Sequence, residues 1–140
     1  MKSLSRLSAL LLVLVPTLAV AGCGDDDEGM GLSPAQQSGV GAECTQDTNC
    51  NTQSADQICL TEFKGGYCGE RNCTGDADCL AGSACVAHDL GNFCFLICTD
   101  KSHCNGTRTF DNEANCVSNI NFVGGAKGDV KVCVPPSSGV

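Results

Sequence analysis

Hydrophobic positions divide the chain into three stretches of different character. Leu7 to Val20 is apolar almost without interruption, broken by Ser8, Pro16 and Thr17, and it follows the basic residues Lys2 and Arg6. A spanning helix needs about 20 apolar residues. This run is shorter, contains Pro16 and stops at small residues, which is the layout of a signal peptide. From Gly24 to Glu43, GDDDEGMGLSPAQQSGVGAE, large apolar side chains almost vanish, and the segment reads as a flexible tether. Beyond it the apolar positions come in short clusters around cysteines. Leu60, Val86 and Val117 each follow a cysteine, Tyr67, Phe93 and Val132 each precede one, and Gly65-Gly66, Gly91-Asn92 and Gly124-Gly125 lie between them. Strand-forming residues flanking a glycine turn predict β-hairpins.

The cysteines carry a stronger period than the hydrophobics. Twelve of the 13 fall into three groups of four: Cys44, Cys50, Cys59, Cys68; Cys73, Cys79, Cys85, Cys94; and Cys98, Cys104, Cys116, Cys133. In every group the first two enclose five residues, in CTQDTNC, CTGDADC and CTDKSHC, each beginning Cys-Thr and each carrying an Asp. The expected fold is small, disulfide-rich and irregular with short β-hairpins, built as three tandem four-cysteine knuckle repeats. The expected boundaries are 42–71, 72–96 and 97–135, with a tail at 136–140. The third unit departs from the compact form through NGTRTFDNEAN before Cys116 and VSNINFVGGAKGDVKV before Cys133.

The odd cysteine, Cys23, ends the junction Val20-Ala21-Gly22-Cys23. This junction resembles the bacterial lipobox, in which the cysteine thiol receives a diacylglycerol and becomes the first residue after cleavage. The resemblance implies a lipoprotein signal peptide at 1–22, lipidation of Cys23, and a lipidated, acidic, Gly/Ser-containing tether over 23–41. Two or three acyl chains hold a protein at a membrane where one does not. Asp25, Asp26, Asp27 and Glu28 serve either as a solvated spacer or as a surface-sorting tag, and Gly24 resembles no inner-membrane retention signal. The expected location is the bacterial cell envelope, at the outer membrane, with the leaflet left open.

Charge narrows the partners. Loss of Lys2 and Arg6 with the signal takes the formal charge from −8 to about −10 (−8 − 2), an acidic surface without the basic stripe that nucleic acid requires. With no Trp and one Tyr, the chain has little material for a large core, and disulfides are expected to substitute for burial.

The cysteine pattern over roughly residues 42–134 resembles the four-cysteine repeats, similar to the Dickkopf amino-terminal cysteine-rich region, of lipoproteins in myxobacteria and their relatives. The second unit, CTGDADCLAGSACVAHDLGNFC, carries most of the likeness. What it implies is a secreted disulfide module for extracellular interaction, and no reaction. Four cysteines permit three pairings, and sequence does not choose among them. The favoured expectation is first with third and second with fourth: Cys44–Cys59, Cys50–Cys68, Cys73–Cys85, Cys79–Cys94, Cys98–Cys116 and Cys104–Cys133.

Other chemistries are weaker. Zinc, haem and dithiol redox sites favour Cys-x-x-Cys, which does not occur, and the only histidines are His88 and His103. Neither histidine stands in a recognisable nucleophile–base arrangement, so no catalytic residue is assigned. Asp47, Asn49, Asp76 and Asp78 offer alternating oxygens, as calcium loops do, but also suit caps on the tight turn before the second cysteine. No cofactor is therefore expected, with calcium as the competing assignment. The functional expectation is a lipid-anchored surface module that binds an extracellular macromolecule, with Phe110, Phe122 and Lys127 as candidate contacts. The alternative is inhibition of an extracellular protease, with Lys127 or Arg108 entering its specificity pocket. Nothing in the pattern indicates an oligomeric state.

Overall fold

Glycine placement and strand propensity meet most clearly in the middle of the chain, where a six-residue and an eight-residue strand form one long hairpin. The computed structural model describes residues 32–50 and 57–136. In chain order the elements are α1 (Pro34–Gln37), β1 (Ile58–Cys59), β2 (Cys68–Gly69), β3 (Ser83–His88), β4 (Gly91–Cys98), α2 (Lys101–Asn105), β5 (Asn115–Val117) and β6 (Lys131–Val134). Single 3-10 turns occur at Asp47–Asn49, Asp76–Asp78 and Phe110–Asn112. The chain is therefore a small, disulfide-rich fold of short antiparallel strands with little helix. Among the described residues no helix is long and apolar enough to cross a membrane.

β1 and β2 pair as a two-stranded ribbon, Cys59 opposite Cys68. Gly65 and Gly66 lie in the connection with φ of 78° and 67°. Gly66 is required there twice over, because a Cβ would also stand 2.0 Å from the Cys44 carbonyl oxygen. β3 and β4 pair from Ser83↔Leu96 to His88↔Gly91, so Asp89 and Leu90 form the turn and Gly91 begins the returning strand. The second sheet has the order β3-β4-β6-β5. Its β4–β6 contact, Ile97↔Val132 and Cys98↔Lys131, joins the second cysteine group to the third. The groups thus share backbone pairing instead of standing as separate beads.

They also share a core. Leu60, Phe63 and Tyr67 pack with Val86, Phe93 and Phe95 and with Val132 in one buried cluster. Phe63 sits at its centre, edge-on to Phe93 at 5.2 Å, Phe95 at 5.7 Å and Tyr67 at 6.3 Å between ring centroids. Such edge-to-face contacts suit the ring quadrupoles. The fully buried Tyr67 hydroxyl accepts the Leu96 N–H at 2.9 Å, and burial pushes its ionisation far above the usual tyrosine range. A polar group at this depth needs such a partner.

The segment expected as tether over 23–41 needs correction at its end. Ala35 and Val40 belong to the core, the Ala35 N–H donates to the Ala81 carbonyl, and the Gly41 N–H donates to the Cys68 carbonyl. The reason is local and capping-driven. Ser33 caps α1 by accepting the Gln36 N–H, the Gln36 side chain accepts the Ser33 N–H, and Pro34 opens the helix. The signal peptide, Cys23, the lipobox and the acidic run lie outside the described residues, as does the end of the tail.

Candidate interaction surface

The six disulfides are Cys44–Cys59, Cys50–Cys68, Cys73–Cys85, Cys79–Cys94, Cys98–Cys116 and Cys104–Cys133. Each group of four therefore has two overlapping loops, and in each the last two cysteines face one another across paired strands: Cys59↔Cys68, Cys85↔Cys94 and Cys116↔Cys133. Side chains at neighbouring paired positions project to the same face of the ribbon, so both leave toward the knuckle that precedes the strands. Within each group three sulfurs lie within 4.8 Å of one another. Zinc would require thiolates, and every one of these sulfurs is bonded to another cysteine.

The five-residue spacing between the first two cysteines follows from one hydrogen-bond device. Asn49 Oδ1 accepts from the Thr45 N–H at 3.0 Å and the Thr45 hydroxyl at 3.1 Å. Asp78 Oδ2 accepts from the Thr74 N–H and hydroxyl, both at 2.7 Å. His103 Nδ1 stands in the same place opposite Thr99, 3.3 Å from its hydroxyl and 3.5 Å from its N–H. A second device ties the knuckle to the hairpin: Asp47 Oδ1 accepts the Cys59 N–H and Asp76 Oδ1 accepts the Cys85 N–H, each at 2.9 Å. Lys101 replaces that aspartate in the third group and pairs with Glu113 at 2.6 Å. The hydrogen bonds to Thr74 hold the Asp78 carboxyl below its ordinary range. For Asp76, burial pushes the other way but is outweighed by the bonds from Lys127 and Cys85. Of the four candidate calcium ligands, Asn49 and Asp78 thus cap the turn before the second cysteine, and Asp47 and Asp76 bind N–H groups of the following hairpin.

The candidate contact residues separate sharply. Phe110 is 87% exposed at the tip of the third group's first insertion. Phe122, at 7%, is buried in the core, so its expected role as a contact is corrected: its backbone bridges to Val86 and the side chain follows inward. Lys127 is ion-paired with Asp76 and lies over the Phe122 ring, 5.5 Å from its centroid, so it is not a free surface cation.

Arg108 is likewise engaged internally. Its guanidinium donates to the carbonyls of Asn112 at 2.6 Å, Gly41 at 2.9 Å, Gly66 at 3.0 Å and Lys64 at 3.1 Å, and stands 5.9 Å from the Tyr67 ring centroid. Beside it, the Glu43 carboxylate accepts from the Thr109 N–H at 2.7 Å, the Thr109 hydroxyl at 3.3 Å and the Asn112 amide. The Thr109 N–H is the main reason the Glu43 carboxyl is held below its ordinary range. Lys64 completes the contact by donating to the Asp111 carbonyl at 2.7 Å. This buckle fastens the insertion of the third group to the first group and presents Phe110 from a fixed base. Sequence reasoning missed it, because an arginine that binds carbonyls converging from distant segments carries no local motif.

His88 packs edge-on against Phe63 and Phe93, at 5.6 and 5.7 Å, and its Nδ1 accepts the Leu90 N–H at 3.0 Å, which makes it part of the hairpin turn. Comparison with family models, curated proteins and solved structures finds no match to this chain.

Proposed function

We propose that this chain is a lipid-anchored protein of the bacterial envelope or cell surface that displays a disulfide-stapled binding or structural module and has no catalytic activity. One observation carries the anchor: six disulfides use twelve of the 13 cysteines, which leaves Cys23 without a cysteine partner. Cys23 follows Val20, Ala21 and Gly22, so lipidation accounts for it. In this reading the three cysteine groups are variants of one repeat, similar to the Dickkopf amino-terminal type, and the acidic tether carries them out from the outer membrane. The module meets an extracellular macromolecule through the rigidly presented Phe110, as loops on a fixed scaffold commonly do. A protease-inhibitor role gains no support, since Arg108 and Lys127 are both engaged within the molecule.

Metabolic labelling with a palmitate analogue tests the anchor. The wild type takes up label and sediments with membranes, and Cys23→Ser loses both. Persistent membrane association of that variant overturns the reading. For the module, Phe110→Asp is expected to lose a partner that the wild type retains from envelope fractions, with all disulfides intact. Equal retention removes Phe110 from the contact.

A further inference from the structure

The long loop between β5 and β6 does something its length alone does not require. β5 and β6 pair as far as Val117↔Val132, so a tight turn would close them. Instead the chain runs out along the free edge of β3. The Ala87 N–H donates to the Asn121 carbonyl at 2.7 Å, the Val123 N–H donates to the Cys85 carbonyl at 3.0 Å, and Val86 and Phe122 form an antiparallel bridge between them. Residues Asn121–Val123 thus make a single β-bridge on the outer edge of the sheet, with the Phe122 side chain inserted into the core.

The strap is fastened by the packing of Ile120, Phe122, Val123 and Val130, without a covalent staple. Its return passes through Gly124, Gly125 and Gly128 at φ of 88°, 104° and 61°, and a Cβ at any of them would meet nothing within 4 Å. No cysteine lies between Cys116 and Cys133 to staple it. Its latch is the Lys127–Asp76 ion pair, whose side chains are 22% and 45% exposed. Asp76 also accepts the Cys85 N–H, so a single carboxylate caps the edge of β3 and holds the strap over the rest of it. By contrast, the opposite side of β3 is paired with β4 along its whole length and framed by Cys85 and Cys94 disulfides.

We propose that the outer edge of β3 is a strand-accepting site closed in cis by Asn121–Val123, and that the partner it takes is an extended protein segment with one aromatic side chain for the Phe122 pocket. An exposed edge invites such pairing, and an internal segment that mimics the incoming strand keeps it closed until displaced. The proposal names a partner class for the binding module and rests on that reading for its biological setting. Its test does not depend on the anchor.

The probe is a labelled synthetic peptide with the sequence of residues 118–126, offered to the exported full chain in detergent. Two opened variants are used: Phe122→Ala/Lys127→Ala, and a chain in which residues 118–130 are replaced by a four-residue Gly/Ser turn. Both are checked by mass for six disulfides. The opened variants should bind the peptide at least about 10-fold more tightly than the wild type, and an aspartate in place of the peptide's phenylalanine should abolish the gain, because burial of one aromatic ring is worth roughly that factor or more. In the wild type, hydrogen exchange at the Ala87 and Val123 amides should run at least about 10-fold faster than at Val86, whose amide the ladder alternation turns toward β4. Equal peptide binding by wild type and opened variants, or exchange at Ala87 and Val123 as slow as at Val86, overturns the proposal. A failure of the Cys23 labelling would leave these results untouched.

Discussion

Arg108→Ala should be the most damaging single change outside the disulfides and the aromatic core. The guanidinium makes four hydrogen bonds to carbonyls drawn from both sides of the contact between the first and third cysteine groups. A bond from a charged donor contributes about 1.5–3 kcal/mol when fully buried and less where water can replace it. Arg108 is half-buried, so roughly 0.5–1 kcal/mol for each bond is the appropriate scale, with about 0.5 kcal/mol more from the Tyr67 ring. The expected loss is on the order of 3 kcal/mol, equivalent to roughly 10–20 °C in melting temperature for a domain of this size. Arg108→Lys should recover less than half, since an ammonium on a single stem cannot address four diverging carbonyls. Arg71→Ala is the control: its pair with Glu62 has side chains 43% and 21% exposed and should matter by less than about 0.5 kcal/mol. Thermal and denaturant unfolding of non-reduced protein, with mass analysis confirming six disulfides, reads all three. Hydrogen exchange at Thr109, which donates to Glu43, should rise in Arg108→Ala before global unfolding. A loss below about 0.5 kcal/mol for Arg108→Ala would refute the buckle as a stabilising contact.

Asp47→Ala and Asp76→Ala each remove the acceptor of a cysteine N–H on the first strand of a hairpin and should cost about 1 kcal/mol in the same unfolding assays, with Asp76 the larger because the Lys127 latch goes with it. Acid should destabilise the molecule: Glu43, Asp76 and Asp100 are all held below their ordinary values. Groups depressed on folding contribute above their unfolded pKa and lose that contribution as pH falls through the folded one. The denaturation midpoint should therefore begin to drop near the ordinary Glu value of 4.5 and continue downward, and Glu43→Gln should flatten the upper part of that drop. Alkylation of denatured, non-reduced protein should modify none of the module's twelve cysteines, and alkylation after reduction all twelve, as read by intact mass. Phe110→Ala should change stability by less than about 0.5 kcal/mol, because its ring is already in water.

Sequence by itself determined the class of this fold. Closely spaced cysteines, scarce aromatics and glycine-punctuated strand formers leave a short chain few ways to order itself other than small hairpins joined by disulfides, and those signals are local. The cap before α1 was equally local: Ser33, Pro34 and Gln36 form a capping box in four consecutive residues, although the composition around them reads as tether. Turn positions of Asp47, Asn49, Asp76 and Asp78 were legible for the same reason, since each side chain serves backbone within its own cysteine group. Tertiary structure alone decided the rest. Phe110 and Phe122 are the same residue type in two insertions of one group, yet one is in solvent and the other in the core, because only Phe122 lies where the chain meets the edge of β3. Arg108 and Lys127 look like free cations in sequence and become fasteners because carbonyls and a carboxylate from segments 42 to 67 and 51 positions away converge on them. Such convergence depends on how β4 pairs with β6 and how the three cysteine groups fill one core. Those contacts join residues far apart in the chain, and no local pattern of side chains encodes them.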